Sequence, residues 1–67
     1  MTASYKKLWK LLIDRDIMKK DLERMAGVSH YTMNKLTRGE NVTTDILGRI
    51  CKALGCKIDD IMEFVDE

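Results

Sequence analysis

The sequence predicts an all-α fold, a compact bundle of about five short helices. Three observations carry this. Apolar residues recur at three- and four-residue spacing along the chain, with no strand-like alternation. There is no proline, and of the four glycines Gly27, Gly39 and Gly55 fall where a helix should stop in a left-handed cap. At 67 residues the chain has room for one small domain over 1–67 with a minimal core.

The first helix is expected over about residues 4–15, with Ser4 near its cap and Leu8, Leu11 and Leu12 inward. A second helix follows over about 19–26, where Leu22, Met25 and Ala26 form an apolar stripe. The third spans about 30–38, with Ser29 at the N-cap and Met33 and Leu36 inward. The fourth covers about 43–54 and buries Ile46, Leu47, Ile50, Ala53 and Leu54. Thr43 or Thr44 caps it, and Asp45 suits the positive end of its dipole. Gly48, inside this periodic stretch, suggests a close helix contact. A fifth helix is expected over about 59–65, with Ile58, Ile61, Met62 and Val65 available for packing.

Residues 18–39 are the most informative part of the chain. They read as two short helices joined by a tight turn at Gly27. The second of the pair leaves His30, Tyr31, Asn34, Lys35 and Arg38 outward. A buried helix followed by a polar, basic one is what a helix-turn-helix DNA reader needs. Net charge is only +1, yet its distribution is uneven. Residues 1–40 hold nine basic and five acidic side chains, whereas 41–67 hold three and six. The basic part contains the helix pair, and the acidic part would face away from a polyanion.

Other chemistries find little support. No run approaches the roughly 18 apolar residues of a membrane span, and the N-terminus is apolar in stripes, unlike a signal peptide. A cytoplasmic protein is therefore expected. Cys51 and Cys56 are five apart, an awkward spacing for a disulfide, and read as reduced, half-buried thiols. His30 is the only histidine and lies far from both, so no metal is expected. Neither a nucleophile–histidine motif nor a glycine-rich phosphate loop occurs, which argues against an enzyme. Asp59-Asp60 is explained by capping a helix start. No cofactor or small-molecule ligand is expected.

The order and spacing of the five segments resemble the lambda-repressor/Cro-type helix-turn-helix family. The matching residues are Ile17, Lys19, Leu22, the run Ala26-Gly27-Val28-Ser29, Met33, Leu36, Gly39 and the run 47–55 (LGRICKALG), with KIDDIMEF fitting the last helix. The resemblance implies a sequence-specific regulator of double-stranded DNA, of the small repressor or accessory kind, with residues 30–38 as recognition helix. It places His30, Tyr31 and Lys35 on base edges, and Lys19, Thr32, Arg38 and Asn41 on phosphates. Family members usually bind as twofold pairs, and the richest apolar cluster here is Ile61, Met62, Phe64 and Val65, which implies a weak homodimer through the last helix. Trp9 and Ile13 offer a second surface. The alternative is a protein-interaction module of antitoxin or adaptor type using the same helix.

Four residues depart from the family pattern. Glu23 occupies a position usually small, where helices two and three cross, so its carboxylate must point outward or find Arg24 or a helix-three partner. Leu12 and Thr37 replace an arginine–glutamate pair that many members carry, a joint change that repacks without stranding a charge. Met18 stands where Ser or Thr usually caps helix two, a loss of about 1 kcal/mol.

Overall fold

The structure, a computed structural model, describes residues 1–66. Its elements in chain order are β1 (Thr2–Ser4), α1 (Lys6–Asp14), α2 (Lys19–Ala26), α3 (His30–Thr37), α4 (Thr44–Leu54), a 3₁₀ turn (Ile58–Asp60) and β2 (Glu63–Val65). Among the described residues there are thus four α-helices, not five, and two short strands that the sequence pattern had not suggested.

The expected fifth helix is replaced by the 3₁₀ turn and β2. Asp60 accepts the Lys57 backbone N–H at 2.9 Å and closes the turn. Ile61 then leaves helical geometry at φ −121° and drives its side chain into the core, fully buried. The chain continues extended and pairs antiparallel with β1, with Thr2 opposite Val65, Ala3 opposite Phe64 and Ser4 opposite Glu63. Seven residues are too few for a helix to hold itself in water. Pairing with β1 satisfies their backbone groups through another part of the chain. For the same reason Ser4 is a strand residue and not a cap. Tyr5 holds the N-cap position of α1, and its carbonyl accepts the N–H of Leu8 at 3.0 Å.

Helix α1 ends without glycine. Asp16 takes the left-handed conformation at φ 59°, and Ile17 N–H returns to Leu12 O at 2.9 Å. The helix pair α2 and α4 makes the main packing contact. Leu8, Leu22, Met33, Leu36, Ile50 and Ile61 form the fully enclosed centre of one core. Leu12 joins it, whereas Thr37 is exposed and hydrogen-bonded to Lys19 and to Met33 O, and no polar or charged residue among those described is buried.

Two inward assignments change. Met25 is half exposed and so lies outside the stripe formed by Leu22 and Ala26. Gly48 meets no close helix. It faces outward, and a β-carbon built there would have no neighbour within 4 Å. Thr43, the first of the two candidate caps, accepts the Ile46 N–H at 3.3 Å. No described helix is long and apolar enough to cross a membrane.

Candidate nucleic-acid interface

The turn between α2 and α3 is built from backbone geometry and one brace. Gly27 adopts φ 66° and ψ 37°, a left-handed conformation that side chains with a β-carbon resist. Its carbonyl accepts a hydrogen bond from Arg49 Nη1 at 3.2 Å. The same guanidinium reaches Asp45 through Nε at 3.0 Å, so α4 steadies the turn from behind. Ser29 caps α3 by accepting Thr32 N–H at 3.1 Å, and its hydroxyl donates to Thr32 Oγ1 at 3.0 Å. At the start of α2, Met18 supplies no side-chain cap, but Asp21 Oδ2 accepts the Met18 N–H at 3.3 Å. Half of a capping box thus offsets the missing Ser or Thr.

With Met33 and Leu36 buried, α3 shows two polar stripes to solvent. His30 and Asn34, one turn apart, lie along a groove of about 380 Å³ beside α2, shared with Lys19, Lys20, Glu23 and Thr37. Tyr31 and Lys35 form the other stripe. Tyr31 is 69% exposed, and the half-buried Lys35 holds its ammonium 5.7 Å from the Tyr31 ring centre. This cation–π contact directs both side chains along one flank of the helix.

Lys19 is held on two sides. Its ammonium sits 4.3 Å from the Trp9 ring centre and donates to Thr37 Oγ1 at 3.1 Å. Thr37 in turn donates to Met33 O at 3.0 Å. An ammonium has three N–H donors, so Lys19 keeps donors for an anion. Glu23 finds the helix-three partner its position demanded, with its Oε2 3.1 Å from His30 Nδ1.

The remaining phosphate candidates lie apart from this groove. Arg38, at the C-cap of α3, pairs with Glu40 at 2.5 Å and borders a separate depression with Lys6 and Trp9. That pairing raises the Arg38 guanidinium and lowers the Glu40 carboxyl from their usual ranges. Asn41 is exposed in the loop before α4, which Tyr5 anchors by donating its hydroxyl to Glu40 O at 3.0 Å. Thr32 is half-buried and occupied with Ser29.

Four polar members of the groove, Lys20, Glu23, Asn34 and Thr37, stand outside the contact set expected from the sequence. Asn34 was recoverable, since it follows His30 by four residues on an exposed helix face. The Glu23–His30 contact was not, because it depends on the crossing of two helices.

Of the apolar C-terminal residues, Ile61 is unavailable to a partner. Phe64 is 62% exposed, and with Met62 and Ile58 it edges a groove of about 540 Å³ floored by Tyr5, Leu47 and Cys51. Val65 is half-buried on the opposite side of the strand, toward Trp9 and Lys6. Ile13, the other exposed apolar residue singled out in α1, is 77% exposed. Cys51 and Cys56 are both free thiols, and burial pushes the Cys56 thiol up.

A family model for the Cro/C1-type helix-turn-helix DNA-binding domain matches residues 7–67. Among solved structures, the crystal structure of transcriptional regulator VanUg is 48% identical to this chain. That match covers 98% of this chain and 88% of the other, with a TM-score of 0.94. The comparison with curated proteins found no match. With the family model spanning nearly the whole chain and α2, the Gly27 turn and α3 in place, this protein belongs to the Cro/C1-type helix-turn-helix DNA-binding family.

Proposed function

We propose that this chain is a sequence-specific regulator of transcription, of the small repressor or accessory kind, that lays α3 in the major groove of double-stranded DNA. The observation that carries this is the pair of exposed stripes on α3, each rich in hydrogen-bonding groups, above a turn braced by Arg49. A major groove about 12 Å wide admits one helix and offers donors and acceptors to such stripes. His30, Tyr31 and Lys35 read base edges in this arrangement, with Asn34 beside them. Lys19, Thr32, Arg38 and Asn41 take phosphates and set the register. Arg38 would exchange Glu40 for a phosphate oxygen as it docks.

An antitoxin or adaptor role for the same helix surface has less support, because His30, Tyr31, Asn34 and Arg38, exposed side chains of α3 and its C-cap, all carry hydrogen-bonding groups and the uncharged groove lies elsewhere. The apolar groove supports a different interaction, a second copy of the chain. Eleven residues line it and none is charged, in a chain where 34% of residues are. Two copies can therefore meet there about a twofold axis without opposing like charges. Met62 and Phe64 supply the knobs, with Ile58 in place of the buried Ile61. Such a homodimer would be weak and completed on DNA half-sites about one helical turn apart.

Selection from random duplexes, followed by a salt titration on the winning site, tests the proposal. An enriched consensus is expected. If Lys19 and Arg38 of two protomers each neutralise one phosphate, log K should fall against log salt with a slope of about −3.6. No enrichment, or binding indifferent to salt, would refute DNA reading by this surface.

A further inference from the structure

The contact between Glu23 and His30 points to a determinant of sequence preference that lies outside the recognition helix. His30 Nδ1 is 3.1 Å from Glu23 Oε2, across the crossing of α2 and α3. An ionised carboxylate only accepts hydrogen bonds. The short contact therefore requires the proton of a neutral imidazole to sit on Nδ1. Nε2 is then left with a bare lone pair. A histidine's second nitrogen is set by the hydrogen bond its first one makes.

The two partners differ in exposure in the way this arrangement needs. The Glu23 side chain is 20% exposed and the His30 side chain 78%. Glu23 is thus the seated member, and His30 carries its free edge into solvent on the groove side of α3. The other polar and charged groups facing this groove are Lys19 and Lys20 from α2 and Asn34 and Thr37 from α3. The two ammoniums can only donate, and Lys19 is already engaged with Thr37 and Trp9. None of the charged groups there competes with Glu23 as an acceptor for Nδ1–H.

We propose that Glu23 is a positioning residue for specificity: by holding the proton on His30 Nδ1, it turns His30 Nε2 into an acceptor that selects an amino-bearing base, cytosine through N4–H₂ or adenine through N6–H₂, and rejects guanine. In the major groove guanine shows only acceptors, N7 and O6, which would meet the Nε2 lone pair head-on. A histidine free to carry its proton on Nε2 would do the reverse and donate to guanine. The inference rests on the placement of His30 against a base edge, and it adds which kind of base that edge must be.

The test has two arms, both run at pH 8, above the ordinary range in which an imidazole takes up its second proton. In the free protein, nitrogen-detected NMR of the His30 ring reads the tautomer directly. Wild type should show a protonated Nδ1 and an unprotonated Nε2, and Glu23→Gln should lose that preference, because an amide can either donate or accept. Loss of folding is monitored in the same spectra by backbone amide dispersion. In the second arm, duplex selection is run on wild type, Glu23→Gln and His30→Ala. The base position governed by His30 is the one whose information disappears in His30→Ala. Wild type should hold cytosine or adenine there, and Glu23→Gln should admit guanine at that position alone. Discrimination against guanine should fall by about tenfold, equivalent to about 1.4 kcal/mol. A proton on Nε2 in wild type, a guanine at the His30 position in wild type, or an unchanged preference in Glu23→Gln would each overturn the proposal. A wild type that enriches no duplex would instead overturn the DNA-reading proposal beneath it, while the NMR arm still decides the tautomer.

Discussion

Two glycine-to-alanine substitutions, at Gly27 and Gly48, should change stability in opposite directions. At Gly27 the added β-carbon would have Arg49 Nη1 as its nearest neighbour, 4.0 Å away, an ordinary contact. The cost of Gly27→Ala is therefore conformational and not steric. An L-residue in the left-handed region costs about 1–2 kcal/mol. Restricting the unfolded chain returns about 0.4–1 kcal/mol. The net loss of about 1 kcal/mol should lower Tm by about 4–8 °C in a domain of this size. Gly27→Val should lose more, since β-branching crowds that region further, whereas Gly27→Asn should retain most of the stability. At Gly48 the backbone is helical and no atom lies within 4 Å of the new methyl. There alanine gains about 0.8–1.0 kcal/mol in helix propensity, which should raise Tm by a similar few degrees. Thermal unfolding followed by circular dichroism, at concentrations where the chain is monomeric, measures both. An unchanged Tm in Gly27→Ala would show that the helix-turn-helix does not depend on a left-handed residue. A lowered Tm in Gly48→Ala would show that something covers the outer face of α4.

Lys35→Ala should change the preferred sequence at one base pair, at a cost of about 1–3 kcal/mol, while Lys19→Ala should weaken all sequences alike and reduce the salt slope by about 1. Identical consensus sequences from duplex selection on the two variants would refute that division of labour. Stability should fall in acid, as follows from two carboxylates. Asp21 is held below its usual range by its hydrogen bond to Arg24 and then by the Met18 N–H, and Glu40 by its hydrogen bond to Arg38. A carboxyl lowered in the folded state adds stability above its unfolded pKa, near 4 for such groups, and loses it as pH falls through the folded value. Asp21→Asn should flatten part of that acid slope in urea titrations run from pH 6 to pH 2, and an unchanged slope would remove Asp21 as a contributor. Phe64→Lys should abolish self-association in analytical ultracentrifugation, with and without operator DNA. An undiminished dimer in that variant would move the interface to the Trp9 and Ile13 surface.

Much of the helix-turn-helix half was legible in the residue order. Gly27 and Ser29, set between two apolar stripes, placed the turn and the start of α3, and local rules suffice there. A left-handed cap and a side-chain N-cap are decided within four or five residues. The same locality turns His30, Tyr31, Asn34 and Arg38 outward, since helical spacing alone sets their face, while Lys35 is half-buried beside Tyr31. The glutamate at position 23 could be recognised as needing a partner, because a carboxylate at a helix crossing has few places to go.

The helix-turn-helix, its left-handed turn and the polar face of α3 thus follow from residue order, all products of short-range geometry. The C-terminal segment depends instead on contacts across the fold. Residues 59–65 carry a helix-compatible pattern, but β1, some sixty residues upstream, pairs with Glu63–Val65 and takes them into a sheet. That pairing buries Ile61, exposes Phe64 and turns Val65 to the opposite side, so one presumed helix face becomes three environments. The tertiary structure likewise chose His30 over Arg24 as the partner of Glu23 and seated Lys19 between Trp9 and Thr37. Long-range pairing and helix crossing bring together groups distant in sequence. The free energy of such contacts belongs to the folded chain as a whole and leaves no periodic trace in any one segment.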